Sequence, residues 1–159
     1  MPTRRPSRSA PASSSACRSD RVEEVLHAST VAVEGRGLLI LGPSGSGKSA
    51  LALELMAFGA ELVADDRTIV TAEEGALFAA APAAIAGMIE ARYIGLLNAP
   101  ARPRARIFAA MDLGRVEEER LPPRRKLTLL GADLPLLHKP VTGHFAAATF
   151  AYMRSGRRS

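Results

Sequence analysis

The residues 42–49, Gly-Pro-Ser-Gly-Ser-Gly-Lys-Ser, bring glycines, one lysine and one hydroxyl together in the order that suits a cradle for phosphate oxygens. Glycine reaches backbone angles closed to other residues, so successive N–H groups can turn inward on an anion. A helix starting at the loop's end adds its positive pole. Lys48 is placed to reach the outer phosphates of a nucleoside triphosphate, and Ser49 to hold Mg2+. A plain glycine turn between a strand and a helix explains neither the Lys48-Ser49 pair nor glycine at both fixed positions, Gly42 and Gly47, so the whole loop, with Pro43, Ser44, Gly45 and Ser46 between them, is read as nucleotide-binding. The expectation is a site for ATP and Mg2+.

Phosphoryl transfer also asks for carboxylates beside the loop, one near the metal and one to take the proton of an attacking hydroxyl. Asp65 and Asp66 end the apolar run Leu62-Val63-Ala64, one helix and one strand after Lys48. A compact α/β unit returns the chain to the same sheet edge at that point. Neighbours on a strand point to opposite faces, so only one of the two acids faces the phosphates unless the strand has already ended. By itself, His27 on an amphipathic strand reads as structural, and His138 and His144 have no partner that spacing supplies. Glu90 and Arg92 flank Ala91 and are expected on one face of a strand near the site, with Arg120 as a basic finger.

The elements that must position these residues follow from the pattern. Residues 26–33 are β-rich and lead through Glu34-Gly35-Arg36-Gly37 into the apolar run at 38–41, a hairpin that feeds the loop. Residues 50–57 form an amphipathic helix stopped by Gly59, and residues 61–66 a buried strand. A second hairpin is expected over 68–78, a short helix over 82–88, and strands over 91–98 and 106–113. An exposed connection carries Glu117 to Arg125, and a final helix covers 145–153.

A chain of 159 residues, 47% hydrophobic, has enough apolar surface for one ordinary core. No run approaches the roughly 18 apolar residues of a membrane span, so no membrane partner is expected. One cysteine, Cys17, allows neither an internal disulfide nor a cysteine zinc cluster, which fits a reducing, cytoplasmic setting. The formal charge of +5 is carried by the ends: residues 1–21 hold +4 and residues 154–159 hold +3, leaving the middle at −2. Nucleic-acid binding is therefore not expected as the function. The expected organisation is a disordered basic tail over 1–21, a catalytic domain over 22–153 and a second basic tail over 154–159.

Taken together, His27, the loop at 42–49, Leu53-Glu54-Leu55, Gly59, Leu62-Val63-Ala64-Asp65-Asp66 and Glu90-Ala91-Arg92 closely resemble the catalytic domain of HPr kinase/phosphorylase. The resemblance is strongest over residues 26–66 and extends to about residue 150. It implies an α/β fold with a P-loop, mixed-sheet core like that of phosphoenolpyruvate carboxykinase, in the short form without a separate N-terminal domain. It further implies an ATP- and Mg2+-dependent protein serine kinase acting on the phosphocarrier protein HPr, in control of the phosphotransferase system and carbon metabolism, and assembled as a homo-oligomer, a hexamer. Asp66 then looks like the family's acid/base group, which gives its proton back in the reverse phosphorolysis. His27 and Lys48 match further active-site residues, Ser49 and Glu90 match magnesium-binding positions, and Asp65 supports Asp66 or the metal. Arg120 is a looser match to the basic finger.

Two departures stand out. Tyr93 replaces a glycine of the family's Glu-x-Arg-Gly pattern, and the late basic loop is reduced to His138-Lys139-Pro140-Val141-Thr142-Gly143. Both weigh more against phosphorolysis than against kinase activity. Two other readings compete. One is a small-molecule P-loop kinase whose lid arginines are Arg102, Arg104 and Arg106; the other is a nucleotide sensor without transfer chemistry.

Overall fold

The structure, a computed structural model, describes residues 22–158. The tail expected over 1–21, Cys17 included, lies outside the described residues, as does Ser159. Eleven strands and two α-helices follow in the order β1 (Val22–Leu26), β2 (Ser29–Val33), β3 (Arg36–Leu41), α1 (Lys48–Ala57), β4 (Glu61–Ala64), β5 (Thr68–Glu73), β6 (Ala76–Ala80), β7 (Met88–Ala91), β8 (Gly95–Asn98), β9 (Ala105–Glu117), β10 (Arg125–Leu129), β11 (Ala132–Pro140) and α2 (Phe145–Ser155).

Nine strands form one mixed sheet in the order β1-β5-β6-β9-β3-β2-β4, with β11 pairing β9 and β10 pairing β11; β7 and β8 form a separate hairpin. β3 runs parallel to β9 and antiparallel to β2, and β2 runs antiparallel to β4. β3 and β4 therefore point the same way, joined by α1 with β2 between them. Their C-terminal ends and the first residue of β2 meet at one edge, where Ser29 pairs with Ile40 and Thr30 with Ala64.

β3 is apolar on both faces because both are covered. Leu38 and Ile40 pack with Val31, Val33, Leu51, Leu55, Leu62 and Met153 beneath the helices. Leu39 packs on the other side with Ala32, Val63, Val70, Leu77 and Leu134, below the β10–β11 hairpin. At the turn of that hairpin, hydrogen bonds from the Thr128 hydroxyl and the Lys126 ammonium hold the Asp133 carboxyl below its ordinary pKa. Among the described residues, no helix is long and apolar enough to cross a membrane.

The structure departs from the sequence expectations in five places, the first being that Glu117, expected in an exposed connection, is the buried last residue of β9 and pairs with Arg125, the first residue of β10. The run over 26–33 is two strands, broken at His27-Ala28 where the chain leaves β1's pairing with β5 and enters β2's pairing with β3. The strand over 91–98 is the β7–β8 hairpin, turning at residues 92–94. The helix over 82–88 is a single 3-10 turn at Ala83–Ile85. Arg154 and Ser155 belong to α2, and Arg157 donates to the Pro122 carbonyl, so the C-terminal tail is shorter than the expected 154–159.

Candidate active site

The edge where β3, β2 and β4 end carries a cleft of about 350 Å³ lined by His27, Ser44, Gly45, Gly47, Lys48, Ser49, Ala50, Leu53, Asp66, Glu90 and Arg92. The loop between β3 and α1 forms its floor. Gly42, with φ 146°, has no room for a side chain, because a Cβ there would stand 2.5 Å from Ser46 Oγ. Gly47 starts α1 at φ 98° with no side-chain cap, and the first turn of α1 holds no acidic residue. The free N–H groups that begin any helix are thus left for a ligand, which makes this end a place for an anion. Lys48 is buried, and its ammonium donates to the carbonyls of Gly42 at 2.9 Å and Pro43 at 3.1 Å.

β4 ends at Ala64, so the two aspartates escape the strict alternation of a strand. Asp65 turns inward and is 7% exposed. Its Oδ1 accepts from Ser49 Oγ at 2.7 Å and from Ser29 Oγ at 2.8 Å, and its Oδ2 from the Glu90 backbone N–H at 3.2 Å. Asp66, at φ 67°, turns the other way, and its side chain is 64% exposed. Its Oδ1 lies 2.6 Å from His27 Nε2. A carboxylate only accepts, so the imidazole is the donor. The break between β1 and β2 is what brings His27 there.

The structure brings His27, Lys48, Ser49, Asp66 and Glu90 into one cleft, with Asp65 bonded to Ser49 at its wall. Arg92 also lines it, but from the turn after β7, so Glu90 and Arg92 do not share one strand face. Arg120 stands exposed in the connection after β9 and does not line the cleft. Tyr93 does not either: its ring is fully exposed, and its cost is in the backbone, at φ 67°. Arg102 pairs with Glu61, Arg104 with Glu73, and Arg106 lies opposite Arg36 at the start of β3, the far end from the loop. These three do not form a lid over the cleft.

Sequence reasoning missed the hydroxyls underneath. Ser29, Thr30 and Thr68 are fully buried. Thr68 Oγ1 donates to the Ala28 carbonyl at 2.9 Å, which leaves Thr30 as the donor in its 2.9 Å bond to Thr68. The one signal was small polar residues where apolar ones would sit, at the start of β2 and just after Asp66.

The chain is similar to known proteins of one family. An HPr kinase/phosphorylase of Clostridium tetani is 45% identical over 78 residues, 49% of this chain and 26% of that protein. One from Geobacillus thermodenitrificans is 36% identical over 129 residues, 73% of this chain and 42% of that protein. The chain thus spans between a quarter and less than half of the length of these relatives. The solved structure of the Hpr(Ser) kinase/phosphatase from Coxiella burnetii matches with a TM-score of 0.71 at 23% identity, covering 82% of this chain and 94% of that one, and so shares the single-domain α/β fold with its mixed sheet. The family model of the HPr Serine kinase C-terminal domain matches residues 21–103. That match takes in β1 to β8 with the glycine loop, α1 and the two aspartates, more than half of the chain, and the chain belongs to this family.

Proposed function

We propose that this chain is an ATP- and Mg2+-dependent protein serine kinase that phosphorylates an HPr-like phosphocarrier protein in the cytoplasm, and so acts in control of the phosphotransferase system and carbon metabolism. The observation that carries the reading is the 2.6 Å pairing of His27 with Asp66 in the same cleft as Lys48 and the glycine loop. The reading takes the core to be a P-loop core of the phosphoenolpyruvate carboxykinase type, within a catalytic domain from residue 22 to the end of α2 at Ser155, and the working form to be a homo-oligomer, a hexamer by analogy with the family.

In this reading the serine oxygen of the carrier forms a bond to the γ-phosphorus while the bond from that phosphorus to the β–γ bridging oxygen breaks and ADP leaves. The proton of the serine goes to Asp66. His27 donates to Oδ1 and so leaves Oδ2 to receive it. Lys48 exchanges the Gly42 and Pro43 carbonyls for phosphate oxygens. The donor set beside the loop, the Ser49 hydroxyl and the Asp65 carboxylate 2.7 Å apart with Glu90 on the wall, is hard oxygen and fits Mg2+. Ser49 and Asp65 would hold the ion together with the nucleotide that brings it. When bound, Mg2+ draws charge from the β- and γ-phosphates. Phosphorolysis would return the Asp66 proton to the serine oxygen. Arg120 has no part in these steps.

The test is to incubate the purified chain with labelled ATP, Mg2+ and a matched phosphocarrier. Phosphoserine on the carrier is expected. A carrier left unmodified by a protein that still binds ATP overturns the assignment.

A further inference from the structure

The strand alternation of β2 puts Ser29 on the same face as Val31 and Val33, the face that packs on α1, and its cross-strand neighbour Ile40 is in that same core. The place is fully buried among apolar neighbours. A buried hydroxyl costs free energy unless it is bonded, so its presence calls for a reason. That reason is at hand in its two partners. Ser29 Oγ donates its one proton to Asp65 Oδ1 at 2.8 Å, and its lone pairs face the backbone N–H of Asp66 at 3.4 Å.

Resting on the kinase reading above, we propose that Ser29 is a positioning residue for the transfer: one oxygen that fixes the carboxylate of Asp65 and the main chain of Asp66 at once. Asp65 Oδ1 receives two hydroxyls, one from Ser29 in the interior and one from Ser49 at the cleft. When the Ser49 oxygen turns to a cation, Ser29 and the Glu90 N–H still hold Asp65 in its orientation. The same Ser29 oxygen faces the N–H of a residue at φ 67°, an angle a non-glycine residue keeps only when its surroundings hold it there. Asp66 keeps that angle and so keeps its side chain turned to His27. The two acids then move as a unit, set from below by a side chain that never touches the nucleotide.

The experiment compares the full chain with Ser29→Ala and Ser29→Thr in three measurements: thermal melting, ATP binding as a function of Mg2+, and phosphate transfer to the carrier. In Ser29→Ala, kcat is expected to fall about tenfold with the KM for ATP within about twofold of the parent, the size expected for one lost bond to a charged group. ATP binding without Mg2+ stays unchanged, while the Mg2+ concentration that half-saturates its effect rises several-fold. Ser29→Thr, which keeps the hydroxyl, recovers both. Should Ser29→Ala not fold, Ser29→Cys takes its place, keeping the volume with a weaker donor. A folded Ala or Cys variant with the parent's kcat and Mg2+ dependence overturns the proposal. So does an equal loss of Mg2+-free ATP binding, which would mean a general collapse of the site, and so does a Thr variant that melts like the parent yet is as slow as the Ala variant. If the parent itself transfers nothing, the kinase reading fails, while the Mg2+ dependence of ATP binding still decides the role of Ser29.

Discussion

Asp66 owes its orientation to its backbone and not to burial. A residue with a Cβ in the left-handed region costs roughly 1–2 kcal/mol, and the turn that holds it is closed by the Arg67 N–H on the Asp65 carbonyl at 2.7 Å. What the cost achieves is the separation of two adjacent carboxylates, one inward at Ser49 and one outward at His27. Asp66→Asn keeps the size and the acceptor for His27 but cannot take a proton. Transfer should fall at least about 100-fold with the ATP Kd unchanged; single-turnover phosphorylation and calorimetry read the two, and turnover at the parent's rate would remove Asp66 from the step. His27 works as a donor in this geometry, so His27→Gln, which keeps an N–H at a similar reach, should retain more transfer than His27→Ala. Equal losses in the two would mean that the ring does something other than donate. Lys48, Ser49, Asp65 and Asp66 were legible in the sequence because fixed spacing carries them, and His27 through the resemblance it shares with them. Ser29 was not, because its partners are set by which strands lie side by side, and no local pattern states that.

At the scale of elements, the unit β3–loop–α1 was readable because each part has its own signal: an apolar run, a glycine-rich loop and a helical period ending at Phe58. Its tightness is a steric matter. In Gly42→Ala the added Cβ would meet Ser46 Oγ at 2.5 Å and Leu113 Cβ at 3.3 Å, from a backbone angle that alanine avoids. The loop must open, and ATP binding, followed by calorimetry, should weaken by an order of magnitude or more, on the scale of a few kcal/mol of strain; an unchanged Kd would show that the loop is slack. The β7–β8 hairpin was read as one strand because residues 91–98 are mostly apolar and hold no Pro, Asn or Asp before Asn98. The turn is made at Tyr93, whose φ of 67° is poor for tyrosine and better for asparagine. Since the ring is wholly exposed, Tyr93→Asn should stabilise the protein by about 0.5–1 kcal/mol and leave transfer unchanged, a gain visible as a higher melting temperature. A fall in melting temperature would show that the ring makes contacts worth more than the strain.

Over the whole molecule the sheet has two ends with different duties. The end with the loop collects the chemistry because three strand termini and the break before β2 converge there. At the other end, Arg36 donates to the carbonyls of Met153 at 3.2 Å and Arg154 at 2.9 Å, tying the C-terminus of α2 to the start of β3. Arg104 stands 3.9 Å over the Phe78 ring and 2.6 Å from Glu73. Their work is to fasten strands and helix, not to meet a substrate. Arg104 is about half exposed, so its ion pair is screened, and the ring contact and the pair together come to about 1 kcal/mol. Arg104→Ala should therefore lower the melting temperature by a few degrees and leave both ATP binding and transfer to the carrier at the parent's values. The comparison has force because it separates two functions with one variant: a lid arginine of a small-molecule kinase would lose turnover with little change in melting, whereas a fastening arginine loses stability and keeps turnover. Loss of transfer in a protein that melts like the parent would move the chemistry away from the His27–Asp66 edge and give weight to a free metabolite as the acceptor.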